Sequence, residues 1–150
     1  MSRTRTIKQR YFIQAPVDKV FRALTKPRLL KKWFLTSAKL SPRKGTSYTF
    51  TWEGGLSHSG KVLRFLRDKQ LSLSWPQYWK GKPLGTTRVS FKLRPKNNGT
   101  LLDMTHSGYK NSNPWIEKYG GTCTGWAYYL TNLKSVLQDD RDLRSPQDDF

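Results

Sequence analysis

Bulky apolar and small polar residues alternate through the middle of the chain. Tyr48, Phe50 and Trp52 alternate with Thr49 and Thr51, and Leu71, Leu73 and Trp75 with Ser72 and Ser74. Val89, Phe91 and Leu93 alternate with Ser90, Lys92 and Arg94, and Leu102, Met104 and His106 with Asp103 and Thr105. A period of two puts each set on its own side of a pleated strand, so every such segment predicts a strand with one apolar face. Thr6–Gln14, with Tyr11-Phe12-Ile13, and Ser57–Leu66 read as two more. Turn chemistry separates them at Ser41–Gly45, Glu53–Gly55, Arg67–Lys69 and Asn98-Gly99. Pro76–Gly85, with its Pro, Gly and exposed aromatics, reads as a longer loop. Short connections imply antiparallel neighbours, hence a sheet of six or seven strands.

The period lengthens in two places. Pro16 suits a first helical turn, and Val17, Val20, Phe21 and Leu24 follow at helical spacing. Lys26-Pro27 breaks this helix and starts a second one, Arg28–Phe34. From Pro114 to Gln138 one side carries Trp115, Tyr119, Trp126, Tyr129, Leu130, Leu133 and Leu137. A helix of that length is roughly 37 Å long. Gly120, Gly121 and Gly125 interrupt it, each costing about 1 kcal/mol relative to Ala. Either the glycines permit close approach to the sheet or the helix begins near Thr122, and a later regular start with a looser lead-in is the expectation. The apolar face of the sheet needs a cover, and this helix is the large candidate. The fold class is α+β, with one domain over residues 1–138 and a polar, acidic tail over 139–150 that is expected to fray.

Charge adds a second theme. The chain has 28 Lys and Arg against 10 Asp and Glu, a net charge of +18, and half of the carboxylates lie in Asp139–Phe150. So basic a body either attracts polyanions, acidic proteins or anionic membrane surfaces, or uses its charge only to stay dispersed. Arg3, Arg5, Lys8 and Arg10 form one cluster, and Lys26, Arg28, Lys31 and Lys32 form another beside Trp33. The second is a candidate anion site if Trp33 is exposed to stack on a base, and a solvated helix face if Trp33 turns inward. Cys123 is the single cysteine, so no internal disulfide forms. No secretory leader and no transmembrane segment are visible, and a cytoplasmic protein is the expectation.

Candidate chemistry is sparse. Two histidines and one cysteine give no zinc spacing. Gly120–Gly125 resembles a phosphate loop only loosely, because Trp126 stands where such a loop needs Lys. No catalytic constellation and no cofactor are expected, so the reading is non-enzymatic. His106 shares the inward parity of Leu102 and Met104; it is either a satisfied core histidine or a group that orients a ligand or moves a proton. The candidate ligand-binding set is Tyr48, Phe50, Trp52, Leu73, Trp75, Val89, Phe91, Leu102, Met104, His106, Tyr119, Trp126 and Leu130. Its aromatics either line a pocket or fill the core.

Ala15–Pro27 followed by Lys32-Trp33-Phe34 resembles the opening of activator of heat-shock protein 90 ATPase homologue-like proteins. Tyr48–Trp52, Gly60–Val62, Leu73–Trp75, Val89–Phe91, Gly99-Thr100, Thr105–Gly108 and Gly125-Trp126 with Tyr129, Leu130 and Leu133 continue the likeness in the family's order. The resemblance implies the START-like (SRPBCC, birch-pollen-allergen-like) helix-grip fold: a curved antiparallel sheet around a long C-terminal helix, with two short helices after the first strand. It implies a binding protein for a hydrophobic or amphipathic small molecule held in a cavity between sheet and helix. Alternatives are an electrostatic binder of nucleic acid or an acidic protein, a co-chaperone-like stress-response protein, and a hydrolase or cyclase using His106. The strong basic charge and the segment with Tyr78, Trp79 and Lys80 depart from the family's usual pattern.

Overall fold

The computed structural model describes residues 3–144. Strand β1 (Thr4–Ile13) leads into α1 (Val17–Thr25) and α2 (Pro27–Trp33). Six strands follow: β2 (Ser37–Lys39), β3 (Ser47–Thr51), β4 (Ser57–Leu66), β5 (Gln70–Trp79), β6 (Lys82–Lys96) and β7 (Gly99–Lys110). Helix α3 (Trp115–Asp139) ends the described fold. The strands form one antiparallel sheet in the order β1-β7-β6-β5-β4-β3-β2. This is a helix-grip architecture, and the parity read from the sequence holds. Tyr48, Phe50, Val62, Leu71, Leu73, Val89, Phe91, Leu102 and Met104 are buried beneath the helices.

The segment expected as a loop at Pro76–Gly85 is instead most of a long hairpin. Pro76 pairs with Thr86 and Tyr78 with Pro83, and an irregularity between Gln77 and Tyr78 absorbs the register shift. Lys80 and Gly81 make the tight turn, with φ of 50° and 78°, the left-handed pair that suits a two-residue hairpin. The β6–β7 turn sits one residue earlier than the Asn98-Gly99 signal. Asn97 and Asn98 take φ of 48° and 64°, while Gly99 opens β7 opposite Lys96. Gly99 is there for space, because a Cβ would lie 2.6 Å from the Ile13 carbonyl oxygen.

Helix α3 is also regular from Trp115, not from Thr122. Its three glycines do not admit a close neighbour either, since a Cβ on Gly120, Gly121 or Gly125 would meet nothing within 4 Å. Burial of Trp115, Trp126, Leu130 and Leu133 holds the helix, and this outweighs the glycine propensity penalty.

The start of the acidic tail is tied down rather than frayed. Asn132, fully buried, donates to the Trp33 carbonyl at 2.8 Å and to Asp142 Oδ1 at 2.9 Å, and accepts from the Leu143 N–H at 2.6 Å. Arg144 donates to the Lys31 carbonyl at 2.8 Å. The rest of the expected frayed tail, 145–150, lies outside the described residues. Asn132→Ala removes three hydrogen bonds at the junction of α2, α3 and the tail and takes its partner from the Trp33 carbonyl, while Asp142 keeps its bonds from Arg144. It is expected to lower stability by about 2 kcal/mol in urea unfolding, and a loss below about 0.5 kcal/mol would contradict the buried junction.

Candidate functional site: an aromatic cleft beside the long helix

The space between sheet and helix, expected to be hollow, is filled. Trp33, Phe34, Phe50, Leu73, Phe91 and Trp126 surround a residual void of about 10 Å³, near the lower limit for a single water. Of the sequence-derived set, Tyr48, Phe50, Leu73, Val89, Phe91, Leu102, Met104, His106 and Leu130 are buried in this core. Tyr119 is half-buried, edge-on to Tyr109 with Arg5 over its ring. Three members, Trp52, Trp75 and Trp126, reach the surface of a cleft.

The cleft exists because α3 packs on β1 and β7 and against α1 and α2, leaving the β3–β5 side of the sheet less covered. Three adjoining lobes of about 340, 490 and 610 Å³ share Trp52 and Tyr129. In the smallest, Phe34, Trp52, Leu56, Trp75, Trp126 and Tyr129 face the helix backbone at Gly121 and Gly125. Those glycines, one turn apart, leave the helix wall bare. In the largest lobe the lining turns polar, with His58, Gln77, Thr122 and Lys118. Phe34 organises the rings, lying edge-on to Trp52 at 5.4 Å and to Tyr129 at 4.9 Å.

His58 has the most telling environment. Its ring stacks on Trp75 with centroids 4.1 Å apart. Its Nε2 is buried with no hydrogen-bond partner among the described residues. Burial, and then the charge of Lys118, lower its pKa to about 4, so it is neutral at pH 7. An unpaired buried polar atom is costly unless something else supplies its partner.

His106 is the opposite case. Trp126 Nε1 donates to His106 Nδ1 at 3.0 Å, and an indole nitrogen can only donate. The proton therefore sits on Nε2, which lies 2.7 Å from Thr87 Oγ1. Thr87 passes its own proton to the Trp75 carbonyl at 2.7 Å. Gln77 donates to Thr87 Oγ1 and to the Tyr109 hydroxyl. Burial lowers the His106 pKa to about 3 and raises that of Tyr109 to about 12. Both ring nitrogens of His106 are engaged, so the ring braces the cleft wall from behind and has no atom free for a substrate.

The helical cations Lys26, Arg28, Lys31 and Lys32 are exposed, but Trp33 is buried and donates to the Ala23 carbonyl at 2.9 Å. It offers no stacking surface.

The sequence reading passed over His58, Phe34, Lys118 and the glycines as lining residues. His58 could have been found, because it shares parity with Gly60 and Val62 in β4. Gly121 and Gly125 carried a signal too, as a spacing of four puts both on one helix face.

No curated protein matches the chain. Among solved structures, the protein MLL2253 from Mesorhizobium loti is 30% identical with a TM-score of 0.80, covering 93% of this chain and 100% of its own. CalU16 from Micromonospora echinospora is 30% identical with a TM-score of 0.68, covering 95% and 78%. The Aha1 dimer from Colwellia psychrerythraea is 26% identical with a TM-score of 0.77, covering 91% and 98%. No helix among the described residues is long and apolar enough to cross a membrane. The family model described as Activator of Hsp90 ATPase homolog 1-like protein matches residues 14–138, and the chain belongs to that family.

Proposed function

We propose that this protein binds a small amphipathic molecule with a flat aromatic or polycyclic body in the cleft between α3 and the β3–β5 side of the sheet. The observation that carries the reading is the partnerless Nε2 of His58 at an aromatic wall. Trp52, Trp75, Trp126 and Tyr129 offer ring surface to the body, and the bare helix backbone at Gly121 and Gly125 leaves it room. His58 meets a hydroxyl or carbonyl, at an end of the cleft lined by charges of both signs, Lys118 and Glu53. Affinity comes from apolar area at about 25 cal/mol per Å², reduced by the entropy lost on association.

The test uses anilinonaphthalene sulfonate, a planar aromatic anion whose fluorescence rises in apolar surroundings. The protein is expected to bind one equivalent in the micromolar range. Gly121→Leu/Gly125→Leu fills the cleft from the helix side and is expected to weaken binding at least tenfold, about 1.4 kcal/mol. His58→Phe keeps the ring stack, removes the polar atom, and should weaken binding several-fold. Equal dye affinity in the filled variant would refute the assignment.

A further inference from the structure

The face of the sheet turned away from the helices is chemically one-sided. Side chains opposite one another across strands share a face, so the register fixes its composition. Lys8 and Arg10 of β1 stand opposite Thr105 and Asp103 of β7. Arg88, Lys92 and Arg94 of β6 stand opposite Ser107, Asp103 and Leu101. Arg64 and Lys61 of β4 stand opposite Ser72 and Ser47, and Lys39 of β2 opposite Thr49. All eight cations are exposed.

Among the described residues Asp103 is the carboxylate on this face, and it is already taken. Arg10 grips both its oxygens at 2.6 and 3.1 Å. The remaining described carboxylates lie in the helices, in the β3–β4 and β4–β5 turns, or just past α3. Apart from Lys110 at the end of β7, which lies over the Trp115 ring, the cations occupy every second strand, β1, β6, β4 and β2, with serine and threonine hydroxyls on the strands between. Strands lie about 4.8 Å apart, so the basic rows repeat at roughly 10 Å across about 29 Å of sheet.

We propose that this face binds the phosphate backbone of double-stranded nucleic acid without reading its sequence. Rows about 10 Å apart are of the order of the ~12 Å major groove, so two rows reach the phosphates on either side of one groove. Lysine, arginine and hydroxyl donors are the groups that contact phosphate and sugar. A single strand would call for aromatic platforms, and away from the tip of the β5–β6 hairpin, which carries the exposed Tyr78, the aromatic on this face is Phe12, half-buried at a corner against Gly99. A lipid surface would call for a cluster of apolar side chains to insert, whereas among the described residues the exposed large hydrophobics here are Leu66 and, at the tip of the β5–β6 hairpin, Tyr78. The face is separate from the cleft, so the two assignments stand or fall independently.

The experiment is fluorescence anisotropy of the full chain with a labelled duplex of about 24 base pairs, from about 50 to 200 mM salt. If five cations engage, log affinity should fall against log salt with a slope of about −4.5, at 0.9 per phosphate. Arg88→Thr/Lys92→Thr/Arg94→Thr should reduce that slope by about 2.7. Lys26→Ser/Arg28→Ser/Lys32→Ser, on the helical side, removes the same charge and should leave the slope unchanged. Equal losses in the two triple variants would overturn the proposal. So would tighter binding to the single strand or to phosphatidylserine vesicles. Threonine suits strands, so the sheet variant should keep its melting temperature. Should it fail to fold, the unmodified chain still decides, since a slope shallower than about −2 overturns the proposal.

Discussion

His106→Gln is expected to lose about 3 kcal/mol of stability at neutral pH and far less in mild acid. The ring links three elements: Trp126 of α3 donates to its Nδ1, its Nε2 proton reaches Thr87 of β6, and the chain continues to the Trp75 carbonyl of β5. A glutamine is too short and too flexible to hold both partners, and it leaves the Trp126 N–H or Thr87 unpaired. The pH dependence follows from the charge. Burial lowers the folded-state pKa to about 3 from the ordinary histidine value of 6.5, because a protonated Nδ1 would be desolvated and would face the indole N–H. Between these values the unfolded chain binds the proton and the folded chain does not. This stability is complete above about pH 6.5 and declines as pH falls toward 3. Two pH units below the upper bound are worth roughly 2.7 kcal/mol. The gap between the natural protein and His106→Gln should therefore shrink from about 3 kcal/mol near pH 7.5 to well under half of that near pH 4.5. The charge of His58, where present, adds to the penalty on a protonated His106 ring. Urea unfolding at the two pH values measures the gap, and a pH-independent one would show that His106 is not the group being charged.

The sequence carried the faces of the strands but not how closely the faces pack. Leu102, Met104 and His106 were assigned inward from alternation alone, and all three are fully buried. Alternation says nothing about ring orientation, however, so six or more aromatics converging from β3, β5, α2 and α3 could equally have lined a hollow or closed it. They close it, because Trp33 folds back onto the Ala23 carbonyl and Phe34 wedges between Trp52, Trp126 and Tyr129. The outer face was half legible in the same way. Arg88, Lys92 and Arg94 alternate visibly, yet the strand order is needed to bring Lys8, Arg64 and Lys39 alongside. The hairpin at Lys80-Gly81 was missed because Pro76 and Pro83 read as strand breakers, whereas the register shift beside Gln77 accommodates them.

Glycine shows most sharply what a sequence withholds, since one substitution should have opposite signs at two sites. At Gly60 a Cβ would sit 2.5 Å from the Ser74 carbonyl oxygen and 2.8 Å from both the Tyr48 ring and its hydroxyl. Tyr48 has nowhere to go: it is fully buried, and its hydroxyl donates to that same carbonyl at 2.6 Å. Gly60→Ala must shift the strand or break this bond, and overpacking with a lost buried hydrogen bond comes to about 3 kcal/mol. At roughly 3 °C per kcal/mol, the melting temperature should fall by about 9 °C. At Gly125 the Cβ meets nothing, so Gly125→Ala should gain about 1 kcal/mol of helix propensity and melt about 3 °C higher. That gain is available at Gly120 too, but Gly120 is absent from the lining of the cleft while Gly121 and Gly125 are part of it. Gly120→Ala should therefore stabilise the protein and leave dye affinity untouched, whereas Gly125→Ala should stabilise it and weaken the dye. Gly120 forgoes the same helix propensity without lining the cleft, so the contrast between the two alanine variants isolates the part that the bare wall plays in binding. If both alanine variants bind the dye as the natural protein does, the bare helix wall has no part in binding.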